Sequence, residues 1–269
     1  MVTEIYDAHC HIYPDKIAHK AVDAVTAFYP TIPDEQLDGT CDTLIRQGRE
    51  NGVTHFIVHS VATTPHQVHS INVFISQSVS ASGGAFTGLG TMHPDVEDIP
   101  AAMDELIRLG LKGVKLHPDI QKFPADDPRI MPVYEICEAK GLPVLVHTGD
   151  YRYDFSNPPR IVNILKAFPR LNFVGAHFGG WSVWDDATRL LTDFDNISVD
   201  CSSTTHWLGV ERAKEQIRIW GEDRVMFGTD YPLWPQKPEI DRLLAMDLTD
   251  DAYRKIFRDN CVRIYGTDR

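Results

Sequence analysis

The 269-residue chain lacks most of the features that would assign it quickly. Its five cysteines, Cys10, Cys41, Cys137, Cys201 and Cys261, are odd in number and scattered without C-x-x-C spacing, which argues against a disulfide framework or a zinc ribbon. They read as reduced, mostly buried thiols. No apolar run approaches the roughly 18 residues of a membrane span, and no basic-then-apolar leader precedes the first strand pattern. Basic residues are in deficit, 26 against 38 acidic ones for a net charge of -12, so electrostatic attraction to nucleic acid or an anionic bilayer is not expected. Neither G-x-G-x-x-G nor the P-loop pattern occurs, which removes the phosphate loop a doubly wound nucleotide fold would carry. Repeats and low-complexity stretches are absent as well. The expectation is a soluble, cytoplasmic, acidic enzyme of one domain, residues 1–269, that takes a small-molecule substrate and has no nucleic-acid or membrane partner.

What is present is alternation. Eight short β-rich runs recur: EIYDAHCH, VTHFIVHS, AFTGLGTM, LKGVKLH, LPVLVH, LNFVGAH, NISVDCS and DRVMFGTD. Between them lie stretches with apolar residues at helical spacing and Gly or Pro punctuation, such as TCDTLIRQGRENG, DIPAAMDELIRLG, RIMPVYEICEAKG and PRIVNILKAFPRL. Eight such units in about 250 residues is the arithmetic of an α/β fold closed as a (β/α)8 TIM barrel. The irregular segment FYPTIPDEQLDGT and the loops after the strands are candidate pocket walls.

A parallel barrel keeps its active site at the carboxyl ends of its strands. Seven of the 12 histidines fall there: His9, His11, His59, His93, His117, His147 and His177. Asp200 and Asp230 stand near the ends of the last two runs. Strand parity places Asp7, His9 and His11 on the inward face and turns Ala8 and Cys10 toward the helices. Two imidazoles at i and i+2 project side by side and can meet one cation, with a third histidine and a carboxylate from other strands completing its shell. His59 and His93 carry two readings, pocket lining or strand-terminating turns. The same turn reading applies to the LHPD segment of His117.

DAHCH, GVKLHP, LVHTG, FPRLNFVGAHFGG, VMFGTDYP and IFRDNCVRIYG, in this order, resemble the amidohydrolase superfamily, particularly its aminocarboxymuconate-semialdehyde decarboxylase-like branch, the amidohydrolase-2 proteins. The resemblance implies one divalent metal, usually zinc and alternatively manganese, held by His9, His11, His147 and Asp230. It implies His177 as proton shuttle beside the metal-bound water, with Asp230 both ligand and base. Lys115, His117, Arg152 and Trp181, at or just past strand ends, are candidate substrate contacts, and the Arg152 fork suits a carboxylate. In other branches a carbamylated strand-four lysine, here Lys115, bridges two metals and makes His177 a ligand. A homodimer is compatible with family habit.

A metal with an open position lowers the pKa of bound water to about 7 and polarises carbonyls. The first reading is therefore a metal-dependent hydrolase acting on an amide, ester or lactone of a small carboxylate-bearing molecule. The second is a non-oxidative decarboxylase or hydratase on the same site, ranked lower because related decarboxylases tend to be longer. A non-catalytic metal-binding relative is the third.

Overall fold

The computed structural model describes residues 4–29 and 36–267. Of the expected wall segment 28–40, residues 30–35 lie outside the described residues. All eight β-rich runs form strands, and all neighbouring strands pair in parallel: β1 (Ile5–His11), β2 (Val53–His59), β3 (Phe86–Gly88), β4 (Gly90–Thr91), β5 (Val114–Leu116), β6 (Val144–Val146), β7 (Phe173–Gly175), β8 (Ile197–Asp200) and β9 (Val225–Met226). The third run supplies both β3 and β4. At Leu89 its backbone changes partner: Leu89 N–H donates to Val58 on β2, and Gly90 N–H donates to Gly113 before β5. The ring closes where Ala8 N–H meets the Phe227 carbonyl at 2.9 Å and His11 N–H meets that of Tyr231 at 2.7 Å. This is the (β/α)8 barrel that the alternation predicts.

The helices follow their sequence signals. Cys41–Asn51 starts at a Thr40 side chain that accepts from Thr43 N–H and stops at Gly52 in the left-handed region. Ile99–Arg108 is capped by Asp98, and Met131–Lys140 ends at Gly141. Alternate strand residues divide the core. Phe56, Val58, Val114, Leu116, Val144, Val146, Ile197 and Val199 pack outward under the helices. Ile57, Leu145, Val174 and Met226 fill the interior, plugged from below by Cys261, Ile264 and Tyr265 of the last helix.

One parity expectation is corrected. Asp7 pairs with Phe56 but Cys10 pairs with Val58, so β1 holds one residue more than its partner between these points. Before the bulge Ala8 points inward with Ile57; after it Cys10 points outward with Val58. Strict alternation put Ala8 outside and Asp7 on the inward face with the histidines, and the bulge reverses parity for that half of the strand. Asp7 is instead held by Thr229 N–H (2.9 Å) and Oγ1 (2.6 Å) beside the closing strand.

Gly149 shows where the loops crowd. Its φ is +80°, and a Cβ there would lie 2.7 Å from the Gly180 backbone. Gly141 has a similar φ of +67° with open space around it. Gly149→Ala is expected to cost at least about 2 kcal/mol and Gly141→Ala about 1, read as urea midpoints. Equal costs would refute the crowding argument.

Candidate active site

His9 and His11 leave the bulged strand on the inner face, and Asp230 reaches them from the loop after β9 as the sheet closes. Asp230 N–H donates to the His9 carbonyl at 2.9 Å. The Nε2 atoms of His9 and His11 are 3.3 Å apart, and Oδ1 of Asp230 lies 3.3 Å from the first and 3.5 Å from the second. Three ligands of a tetrahedral cation at ~2.0 to 2.1 Å stand ~3.3 to 3.4 Å from one another. The spacing matches that of ligand atoms around one ion, so the donor set fits a divalent cation.

The support for these groups is equally specific. His9 donates from Nδ1 to Oδ2 of Asp200 at 3.0 Å, which turns the lone pair of Nε2 toward His11 and Asp230. Asp200 Oδ1 also accepts from His177 N–H and from Ser202 N–H and Oγ. Asp230 Oδ2 accepts from Ser203 Oγ at 2.6 Å. Burial pushes the Asp230 carboxyl up to about 7, with nearby Lys115 opposing. Below lies Lys115, wholly buried, its Nζ 3.0 Å from His9 Nε2; burial pushes it down to about 8. Gly228 leaves the room: a Cβ there would sit 3.1 Å from that of His9. His177 and Asp230 adopt positive φ, 61° and 66°, a region that few non-glycine residues enter, Asp and His more readily than most.

A second set of imidazoles forms a chain of fixed direction. Ile120 N–H can only donate, and it donates to Nδ1 of His117 at 3.3 Å, so a neutral His117 carries its proton on Nε2. His117 Nε2–H donates to the Tyr29 hydroxyl (3.0 Å), which donates to Nε2 of His147 (3.2 Å). His147 Nδ1–H donates to Nε2 of His177 (3.0 Å), and His177 Nδ1–H ends on the Ser202 carbonyl (2.9 Å). That carbonyl can only accept, so both ends demand the same order. Burial keeps the rings neutral. His117 and His147 are held well below the usual imidazole range, with neighbouring positive groups adding to the effect, and His177 is lowered to about 4.

The expected site residues therefore separate into sets. His9, His11 and Asp230 come together. His147 has both ring nitrogens engaged, by Tyr29 and His177. His177 stacks on His9 with ring centroids 5.1 Å apart. His11, His117, His147, His177, Trp181 and Asp230 nevertheless all line one cavity of about 40 Å³, while Lys115 Nζ approaches His9 Nε2. Arg152 does not offer its fork to a ligand: Nε and Nη2 grip Asp150 at 2.9 and 2.7 Å, and Nη1 holds the Phe28 carbonyl at 2.6 Å. It fastens helix Asp15–Phe28 to the loop after β6. For His117 the turn reading holds together with pocket lining, since it caps helix Pro118–Gln121. His93 accepts from Asp95 N–H in a turn of its own. His59 is fully buried beside His9 and His11, and neither of its ring nitrogens has a hydrogen-bond partner among the described residues.

Tyr29, Ser202, Ser203 and Asp119 were not singled out from sequence. Asp119 is buried, accepts from Ser156 Oγ and is pushed up to about 6, chiefly by burial. Tyr29 ends a helix, and only its place in the expected wall segment marked it. Tyr29→Phe leaves two buried Nε2 atoms without their partner, and is expected to lower stability by about 1 to 3 kcal/mol in urea titration. An unchanged midpoint would disprove the chain.

The amidohydrolase family profile matches residues 6–267. A curated relative, 2-amino-3-carboxymuconate-6-semialdehyde decarboxylase of Dictyostelium discoideum, is 32% identical over 201 residues, 60% of this chain and 55% of that one. The chain thus spans about half the length of that relative. Among solved structures, an uncharacterized TIM-barrel protein from Bordetella bronchiseptica aligns over 98% of this chain and 99% of its own, with a TM-score of 0.79 and 20% identity. A 5-carboxyvanillate decarboxylase from Novosphingobium aromaticivorans, complexed with manganese and 4-hydroxy-3-methoxy-5-nitrobenzoic acid, aligns over 97% and 96%, with a TM-score of 0.76 and 16% identity.

Proposed function

The chain belongs to the amidohydrolase family, and from that premise we propose that it is a metal-dependent, non-oxidative decarboxylase of a small carboxylic acid. The observation that carries the reading is the convergence of His9, His11 and Asp230 at cation-ligand spacing, with Asp200 backing His9, at the floor of a buried pocket. This reverses the order expected from sequence, in which a hydrolase came first. The curated relative is a decarboxylase, and a chain of this length aligns nearly end to end with a decarboxylase fold.

His9, His11 and Asp230 would hold the cation, which when bound supplies Lewis-acid polarisation of the substrate oxygens. Breaking the C–C bond to release CO2 leaves an electron pair on carbon that must take up one proton. We assign its transfer to His177, whose ring stacks on His9 beside the three groups: a proton entering at Tyr29 and passed through His147 reaches Nε2, and turning that nitrogen from His147 to the substrate carbon delivers it. Trp181 and Tyr29 form part of the pocket wall, their ring centroids 5.1 Å apart. One cation is favoured over a pair bridged by carbamylated Lys115, because the Nε2 lone pair of His177 already accepts from His147. Small-molecule partnership, and the homodimer that family habit allows, are part of this proposal.

The test is product balance. Zinc- or manganese-loaded protein is offered hydroxylated benzoates and unsaturated dicarboxylates. CO2 release without net water consumption supports the reading. A new carboxylate accompanied by a freed amine or alcohol, with no CO2, replaces it with hydrolysis.

A further inference from the structure

On the decarboxylase reading, which supplies the reacting end of the substrate and on which this rests, we infer that the acid carries an extended apolar arm. The arm lies in a cleft between helix Asp15–Phe28 and helix Val68–Ala81, beside the cavity of the candidate site.

The cavity lined by His11, His177 and Asp230 measures about 40 Å³, space for about three waters at ~10 to 15 Å³ each. That admits a carboxyl group but not the ring or chain that bears it. Tyr13, Val25, Val61 and Ile120 line this cavity and also line a cleft of about 600 Å³, so the two adjoin at these four side chains. The cleft falls within the ~300 to 1,000 Å³ typical of small-molecule sites. It also lies on the reacting face of the barrel, since Tyr13 stands two residues past the end of β1 and Val61 two past the end of β2. Whatever part of the substrate the small cavity cannot hold has this space next to it.

The walls decide what that part is. Ile17, Ala21, Ala24 and Phe28 recur at helical spacing along one face of helix Asp15–Phe28 and line the cleft, while Ala18 and Val22 on the neighbouring face are buried in the core. Half-buried Ile71 and Phe74 supply the wall from helix Val68–Ala81. The polar groups along the cleft are already engaged by the chain itself. Ser60 Oγ donates to the Ile12 carbonyl, Thr63 Oγ1 to Gln67 Oε1, and Ser70 Oγ to the Gln67 carbonyl. Lys20 is the one charged residue among the described residues of the lining, and it is exposed. A second carboxylate placed between these walls would lose water without gaining a buried partner, whereas methylenes or a ring lose it favourably. An arm of the substrate is favoured over a second copy of the chain as occupant, because the cleft shares four side chains with the cavity of the reacting groups.

The experiment titrates zinc-loaded protein calorimetrically with 2-hydroxybenzoate and with 2-hydroxybenzoates bearing n-alkyl chains of two to about eight carbons at ring position 4, 5 or 6. Each acid is also followed for CO2 release. In at least one series the dissociation constant should fall about two- to fourfold per added methylene, up to the length the cleft holds. Ala24→Trp and Ser70→Trp, at exposed positions on the two helices, should keep the affinity for 2-hydroxybenzoate within about twofold and cancel at least about tenfold of the gain from the longest chain. No binding, or affinity independent of chain length, in all three series overturns the proposal. So does a gain that both Trp variants keep. A parent chain that sediments as a dimer and becomes monomeric in Ala24→Trp assigns the cleft to a second copy and overturns it too. Length-dependent binding that the Trp variants abolish, without CO2 release, sustains the arm site and removes the decarboxylase reading, so the two fail separately.

Discussion

His9→Ala and Asp230→Ala are expected to purify without bound divalent metal and to release CO2 at least about 1000-fold more slowly than the parent chain. The magnitude follows from losing Lewis-acid stabilisation, worth several kcal/mol, at about 1.4 kcal/mol per factor of ten. The structure makes the loss steep. Each of the three groups sits 3.3 to 3.5 Å from the other two, so removing one leaves two ligands facing an enlarged space. His177→Ala is the contrast: it should keep its metal and lose about 100- to 10,000-fold in turnover, the usual range for a proton-transfer group. Elemental analysis of the purified variants decides between them. Metal retained at parental level in His9→Ala and Asp230→Ala would refute the ligand assignment, whatever happened to activity.

The second large effect is acid unfolding of the chelator-treated protein. Six buried imidazoles, His9, His11, His59, His117, His147 and His177, are held below their usual range by burial and by neighbouring positive groups. A group whose folded pKa lies below its unfolded value costs stability as the pH falls beneath about 6.5, because the unfolded chain then binds the extra proton. Asp7, Asp119 and Asp230 work in the opposite direction. Burial raises them to about 7, 6 and 7, so the folded chain binds their protons first, and stability falls as pH rises from 4 toward 7. Around pH 5 the histidines win. The unfolded chain binds about six imidazole protons against about three carboxyl protons in the folded one. The difference of about three protons is worth about 4 kcal/mol per pH unit. Against a total stability of about 5 to 15 kcal/mol, the metal-free protein should lose its fold between about pH 6 and 4. Urea midpoints at pH 7, 6 and 5 check this, and a flat profile would show that the imidazoles are not held neutral. Added zinc should shift the transition to lower pH by binding the folded state.

How much of this was legible beforehand depends on the range of the interaction. The eight strands and the helices between them were visible because hydrophobic period, caps and glycine stops are local properties. His9, His11 and Asp230 were visible because a parallel barrel sends strand ends to one face, so strand position alone implies convergence. The Asp7 and Ala8 orientations were missed because a bulge has no reliable sequence mark, and one extra residue inverts everything on its side. The partners of Arg152 are hidden from the sequence for a related reason. A guanidinium after a strand looks like a substrate clamp until the structure shows Asp150, two residues earlier, turned back to hold it.

The sequence by itself determined the barrel and the histidines and carboxylates that gather at the carboxyl ends of its strands, because strand period and strand ends are written along the chain. Only the tertiary structure decided what each imidazole has left to offer. That depends on hydrogen-bond partners far away in sequence: Asp200 on β8 turns His9 toward its neighbours, and Tyr29 at the end of a helix occupies His147. An imidazole has one proton and one lone pair when neutral, so the partner that takes one decides the use of the other. Those partners are set by packing, which the local pattern of residues does not record.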